Sequence, residues 1–136
     1  MKKVMFVDTA GWMSMIDSKD PFHTSSLKVR DNWLENGGIL ITSNYVVDET
    51  LTLIRMRLGL KAAKEWYQIV SGSPRCIIEW ITRERIEKAI YWFFGWKDQS
   101  FSFTDCTSFV TMRDLNINKV LTCDRHFLVA GFEVLP

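Results

Sequence analysis

The sequence predicts an α/β fold in three layers: a mostly parallel central sheet of four to five short strands, with helices on both faces. Three observations predict it. Short, continuous apolar runs, the pattern of strands covered on both sides, alternate with segments of helical spacing. Cap and turn residues punctuate the junctions between them. Strand–helix–strand alternation of this kind implies right-handed crossovers and hence a parallel sheet. At 136 residues a single domain over 1–136 is expected, long enough to bury roughly two-thirds of its unfolded surface.

Each element has a local cause. Val4 to Val7 is the first strand, ended by Asp8-Thr9, and a short helix over Ala10 to Ile16 follows at once. Asp20 as N-cap and Pro21 at the first helical position open a second helix, which runs through Leu27, Trp33 and Leu34 and stops at Gly37-Gly38. Ile39 to Thr42 is the second strand. Ser43 or Asn44 caps a helix with the stripe Val47, Leu51, Ile54 and Leu58. Leu60 to Val70 forms another helix, closed by Gly72 and Pro74, ahead of a strand over Cys76 to Trp80. Thr82 caps a helix expected to bury Ile86, Ala89, Ile90 and Phe93 and to end at Gly95. Ser102-Phe103-Thr104-Asp105 has the form of a capping box and opens the next helix. After a turn at Asn116 to Asn118, Lys119 to Cys123 is the fourth strand, and Phe132 to Leu135 closes the chain.

Composition narrows the function classes. A formal charge of +1 carries no bulk basic signal, so any contact with RNA or DNA has to use a local patch. Cys76, Cys106 and Cys123 are odd in number and widely spaced, which argues against a disulfide framework and for a reducing cytosol. The start Met-Lys-Lys-Val-Met-Phe-Val resembles a signal peptide but meets Asp8 after four apolar residues, against about 7–15 for a secretory core and about 20 for a membrane helix. A cytoplasmic location away from membranes is therefore expected.

Four acids stand out. Asp8 and Asp124 directly follow apolar strands, and Glu49 and Asp105 lie in the first turns of helices. In a parallel sheet these positions share one edge, where open α/β folds place their active sites. Four carboxylates in one small site need neutralising cations or retained protons. Hard oxygen ligands without a paired Cys or accompanying His point to Mg²⁺ or Mn²⁺, ions that activate water and stabilise a phosphodiester under in-line attack. Glu49 is preferred over Asp48. Asp48 aligns with Thr52 and Arg55 on a ridge that water can solvate, whereas Glu49 lies with Tyr45, Leu53 and Met56 on an apolar side, where a carboxylate is costly without a charge partner. Singly, each acid has a structural explanation as a helix cap or turn residue; their equivalent placement at the ends of successive units favours a shared site.

Four segments, in order, carry a family resemblance: Val-Asp-Thr at Asp8, Tyr-Val-Val-Asp-Glu-Thr-Leu-Thr-Leu at Glu49, Ser-Phe-Thr-Asp-Cys-Thr-Ser-Phe at Asp105, and Leu-Thr-Cys-Asp-Arg-His-Phe at Asp124. The chain resembles PIN-domain proteins, most closely the VapC-type toxin ribonucleases of bacterial toxin–antitoxin pairs, and the resemblance spans nearly its whole length. It implies a PIN-like fold and a Mg²⁺-dependent endoribonuclease, usually a homodimer, held inactive by a cognate antitoxin protein. The matching acids are Asp8, Glu49, Asp105 and Asp124, with Asp8 and Asp105 expected to bind metal most directly. Cys106 departs from the small aliphatic residue usual after the third acid. The alternative reading is a catalytically silent PIN-like module that binds RNA or protein. A phosphatase using Asp8 as nucleophile is disfavoured, because no aspartate sits two residues beyond it.

Thr9, Thr104, Ser108 and Thr122 are hydroxyls near the acids, of which Thr9 and Ser108 are candidates for orienting a phosphate. Arg125 is the preferred contact to the RNA backbone, ahead of His126, Arg55, Arg57, Lys97 and Arg113. A zinc site from Cys106, Cys123 and His126 lacks the close ligand pairs such sites use. His23 is expected to be solvated. Tyr91 to Trp96 is apolar on several faces, so Trp92 or Trp96 is expected at a dimer or antitoxin interface.

Overall fold

All the strand pairs are parallel, and their order, β3-β2-β1-β4-β5, runs outward in both directions from the first strand. The computed structural model describes residues 3–136; Met1 and Lys2, part of the expected single domain and of the signal-like start, lie outside the described residues. Among the described residues the elements are β1 (Val4–Val7), α1 (Thr9–Ile16), α2 (His23–Glu35), β2 (Ile39–Ser43), α3 (Asn44–Leu58), α4 (Leu60–Gly72), β3 (Cys76–Glu79), α5 (Arg83–Gly95), α6 (Phe103–Asp114), β4 (Lys119–Leu121), α7 (His126–Val129) and β5 (Glu133–Leu135). The α/β expectation is met, with five strands in one sheet.

The strand order decides where a site can form. From β1 the chain first builds outward to β2 and β3, then returns to lay β4 on the other side of β1. Loops leaving β1 and β4 therefore part in opposite directions and open a crevice at the carboxyl ends of the strands, the point where such sheets bind ligands. Register is tight at this place: Val7 pairs with Leu121, and the Asp8 amide donates to the Leu121 carbonyl at 3.3 Å. Asp8 and the residues after Leu121 thus leave the sheet side by side.

Packing holds the flanking elements to that edge. Met5, Phe6 and Val7 are fully buried, as expected for a central parallel strand. Phe109 of α6 is fully buried, with ring centroids of Phe127 at 4.9 Å, Phe101 at 5.0 Å and Trp92 at 5.2 Å. Each such aromatic contributes roughly 1.5–3 kcal/mol by leaving water, so this cluster locks α5, α6 and α7 together. Gly11 lets α1 lie against β4: a Cβ there would overlap the Leu121 carbonyl, with the carbonyl carbon at 2.8 Å. No larger residue fits.

Three local expectations are corrected. The second helix begins at His23 with Phe22 as its cap residue, not at Asp20-Pro21. Asp20 instead closes a separate turn, its Oδ1 accepting from the Phe22 amide at 2.8 Å and its carbonyl from the His23 amide at 3.0 Å. His23 is half-buried, its Nδ1 donating to the Ser14 carbonyl at 2.9 Å. The buried face of α5 is also rotated from the expected stripe. Ile90 and Phe93 are exposed, while Ala89 is buried and Trp92 packs on Phe109. Arg85 bonds Glu79 at 2.8 Å and Asp114 at 3.1 Å and helps hold α5 with Ala89 and Trp92 inward, while Trp96 stays exposed. Trp92 is thus part of the chain's own packing, stacked on Trp96 at 5.7 Å, rather than a free interface residue.

Candidate metal centre

Each acid reaches the crevice by a different local device. Asp8 occupies the N-cap position of α1, yet its side chain makes no capping bond. Its Oδ2 instead accepts from the Thr122 hydroxyl at 3.2 Å, and Thr122 Oγ1 in turn accepts from the Asp124 amide at 3.0 Å. Thr122 therefore ties the ends of β1 and β4 together through the two acids that follow them. Asp105 is the third helical residue of a complete capping box. Its amide donates to Ser102 Oγ at 2.9 Å and its Oδ2 accepts from the Ser102 amide at 3.2 Å. Asp124 Oδ1 accepts from the His126 amide at 2.9 Å, which starts α7, a turn of helix not expected from the sequence. Glu49 is carried by α3, which Ser43 caps by accepting from the Val46 amide at 3.1 Å.

The four acids line one cavity of about 460 Å³, with Thr9, Asp20, Leu53, Arg57, Ser102, Cys123 and His126 also on its wall. Asp48 is exposed and outside it. Thr9 reaches the cavity with a buried hydroxyl that has no hydrogen-bond partner. Ser108 is fully buried and does not line the cavity, nor does Arg125, which is exposed; the arginine on the wall is Arg57.

Electrostatics marks the place as incomplete. Burial first, then the Asp105 carboxylate, with smaller contributions from Asp124 and Glu49, push the Asp8 carboxyl up to about 8, against the nearby Thr9 amide, which lowers it. Burial and Asp124 raise Asp105 to about 6, opposed by the Ser102 hydrogen bonds and by His126. Clustered carboxylates that resist ionising together are what a bound cation relieves. Asp8 Oδ1 is buried without any hydrogen-bond partner. The donor set fits a divalent ion: one oxygen of Asp8 accepts from Thr122, and the other is buried without a partner.

His126 is the residue that sequence reasoning undervalued. Its Nδ1 lies 3.0 Å from Asp124 Oδ1 and 3.7 Å from Asp105 Oδ2, but off the direction a hydrogen bond requires, so the buried nitrogen stays unpartnered. Asp105, Asp124 and His126 each offer a ligand atom within 4.8 Å of the others. Phe101 packs edge-on against the imidazole at 5.4 Å and fixes its plane. The signal for this arrangement was the Asp-Arg-His spacing, in which an aspartate cap brings the ring two residues on back beside its own carboxylate. Cys106 and Cys123 lie outside the three-residue group; burial raises the Cys106 thiol to about 11, and Cys123 Sγ rests 3.9 Å from the Ala10 carbonyl.

The chain has relatives among known proteins. The PIN domain family matches residues 5–133. The chain is 32% identical over 134 residues to the 23S rRNA-specific endonuclease VapC20 of Mycobacterium tuberculosis, covering 98% of this chain and 99% of that one. The crystal structure of that VapC20, described as a sarcin–ricin loop cleaving toxin, superimposes with a TM-score of 0.88 at 33% identity over 97% of this chain and 99% of its own. FitAcB from Neisseria gonorrhoeae shares the fold at a TM-score of 0.65 and 14% identity, covering 97% of this chain and 96% of that one. A family match running from the first strand into the last, with a full-length relative at this identity, establishes that the chain belongs to the PIN-domain family.

Proposed function

We propose that this chain is a divalent-metal-dependent endoribonuclease, the toxin of a toxin–antitoxin pair, working as a single PIN-like domain. The observation that carries the reading is the buried, unpartnered Asp8 Oδ1 in a crevice shared with Asp105, Asp124 and Glu49. A catalytically silent module has no use for carboxylates held where burial and mutual repulsion oppose their charge.

The residues divide the work. Asp8, Asp105 and Asp124 hold a Mg²⁺ or Mn²⁺ ion, with Glu49 completing the acidic wall from α3. Such an ion, when bound, supplies an activated water and neutralises charge on the phosphodiester. Thr122 fixes Asp8 so that one carboxylate oxygen stays free, and the capping box does the same for Asp105. Arg57 offers the RNA backbone a cation on the cavity wall; Arg125 and Thr9 lie near the acids and assist, while Ser108 supports α6 from within.

VapC20 acts on 23S rRNA by its name, which makes ribosomal RNA the first substrate to try. An antitoxin partner and a homodimer are part of the same reading. They are supported by apolar side chains left on the surface of α5, where Tyr91 is 84% and Phe94 69% exposed. A cytoplasmic location is consistent with the described residues holding no helix long and apolar enough to cross a membrane.

The test is cleavage of rRNA and of short RNA hairpins by the purified protein with Mg²⁺, with Mn²⁺, with EDTA, and with Asp8→Asn. Cleavage should require the ion and be lost in the variant. Equal cleavage by wild type and Asp8→Asn would falsify the mechanism.

A further inference from the structure

We infer that His126 is itself a ligand of the ion, so that the centre takes a first-row transition divalent cation in preference to Mg²⁺. This rests on the metal reading above and deepens it. Two ligands in adjacent positions on an octahedral ion, with bonds of about 2.1 Å, lie about 3.0 Å apart, while opposite ligands lie about 4.2 Å apart. His126 Nδ1 stands 3.0 Å from Asp124 Oδ1 and 3.7 Å from Asp105 Oδ2, inside that window. The close approach is not a hydrogen bond, since Nδ1 is buried with no partner in hydrogen-bond geometry. An imidazole nitrogen within ion-pair reach of two carboxylates, yet in hydrogen-bond geometry with neither, is placed for a third atom between them. Asp8, which lines the same cavity, has its Oδ1 buried and equally unpartnered.

The ring is held for this role from two sides. Phe101 meets it edge-on at 5.4 Å, and the Asp124 carboxylate caps the turn that carries it. Carboxylate and water oxygens suit Mg²⁺, whereas an imidazole in the set favours a transition ion. The four acids alone admit either ion; one nitrogen separates them.

The test uses Mn²⁺ alone, read by electron spin echo modulation on the wild-type protein. One imidazole nitrogen should couple to the bound ion, and the coupling should change to the ¹⁵N pattern when histidine is isotopically labelled. The chain holds two histidines, and His23 is engaged with the Ser14 carbonyl away from the cavity. In His126→Ala the coupling should vanish and Mn²⁺ binding should weaken at least tenfold, with Mg²⁺, measured by competition, changing less than about threefold. Mn²⁺ bound with no imidazole coupling would overturn the inference while leaving the acidic metal site intact. So would an equal loss of affinity for both ions. Failure of the wild-type protein to bind Mn²⁺ at all would overturn the metal reading and this inference with it. The wild-type spectrum decides even if the variant does not fold.

Discussion

Replacing Asp8 with Asn should make the metal-free protein more stable, by an amount that grows as pH rises from about 4 to 8. Burial and the neighbouring acids raise the Asp8 carboxyl from 3.8 to about 8 in the fold. Below about pH 4 folded and unfolded chains both carry the proton, and this site takes nothing from stability. As pH rises from about 4 to 8 the unfolded chain ionises while the fold retains its proton, so stability is lost progressively across that interval. At about 1.4 kcal/mol per unit, the loss at pH 8 is of order 5 kcal/mol, a large share of the roughly 5–15 kcal/mol that holds a domain together. Asn is nearly isosteric, keeps an oxygen for the Thr122 hydroxyl, and carries no charge. In EDTA at pH 8 thermal unfolding of Asp8→Asn should therefore lie on the order of 10 °C above wild type, and the difference should shrink severalfold by pH 5. Adding Mn²⁺ should raise wild type and leave the variant where it was. A variant no more stable than wild type at pH 8, or a gain that is the same at both pH values, would refute the electrostatic account of the crevice.

Further outcomes follow from the same geometry. Thr122→Val leaves the Asp124 amide without its buried acceptor and Asp8 without its donor. It should cost about 1–3 kcal/mol of stability and weaken metal affinity about ten- to a hundredfold, with Thr122→Ser recovering most of both in melting and titration experiments. Arg57→Ala should weaken binding to all RNAs alike and lower the salt slope of the affinity by about 1, with a smaller effect from Arg125→Ala; equilibrium binding at several salt concentrations checks this. Gly11→Ala should lose several kcal/mol in denaturant unfolding, because the clash is with the Leu121 backbone rather than a side chain that can move. Trp92→Ala should cost roughly 3–5 kcal/mol by emptying the space beside Phe109. Tyr91→Ser, at an exposed position, should leave the melting temperature unchanged and instead alter oligomeric state or antitoxin capture in size-exclusion experiments.

The sequence alone determined the strands, most of the helices and the positions of the acids. Those are short-range facts: an apolar run ended by Asp8, a capping box containing Asp105, and a strand ahead of Asp124, although that strand ends at Leu121 and not at Cys123 as expected. Even there, short-range signals misled where two readings were equally local. Asp20-Pro21 has the form of a helix start, but the Asp20 side chain and carbonyl close a turn first, and the helix waits until His23. The inward face of α5 was not legible either, since Ile90 and Phe93 fit a helical stripe as well as Ala89 and Trp92 do. The packing of Trp92 on Phe109, with Arg85 held between Glu79 on β3 and Asp114 at the end of α6, goes with the second.

Tertiary structure decided what the acids face. Laying β4 beside β1 set Thr122 against Asp8, 114 residues away in sequence, and turned an N-cap aspartate into one that caps nothing. The same closure brought His126 beside Asp105, with Phe101 fixing the ring. A sequence states which donors are present and at what spacing. Which of them lose water, and which buried atoms are left unpartnered, depends on surfaces that meet only when distant segments pack.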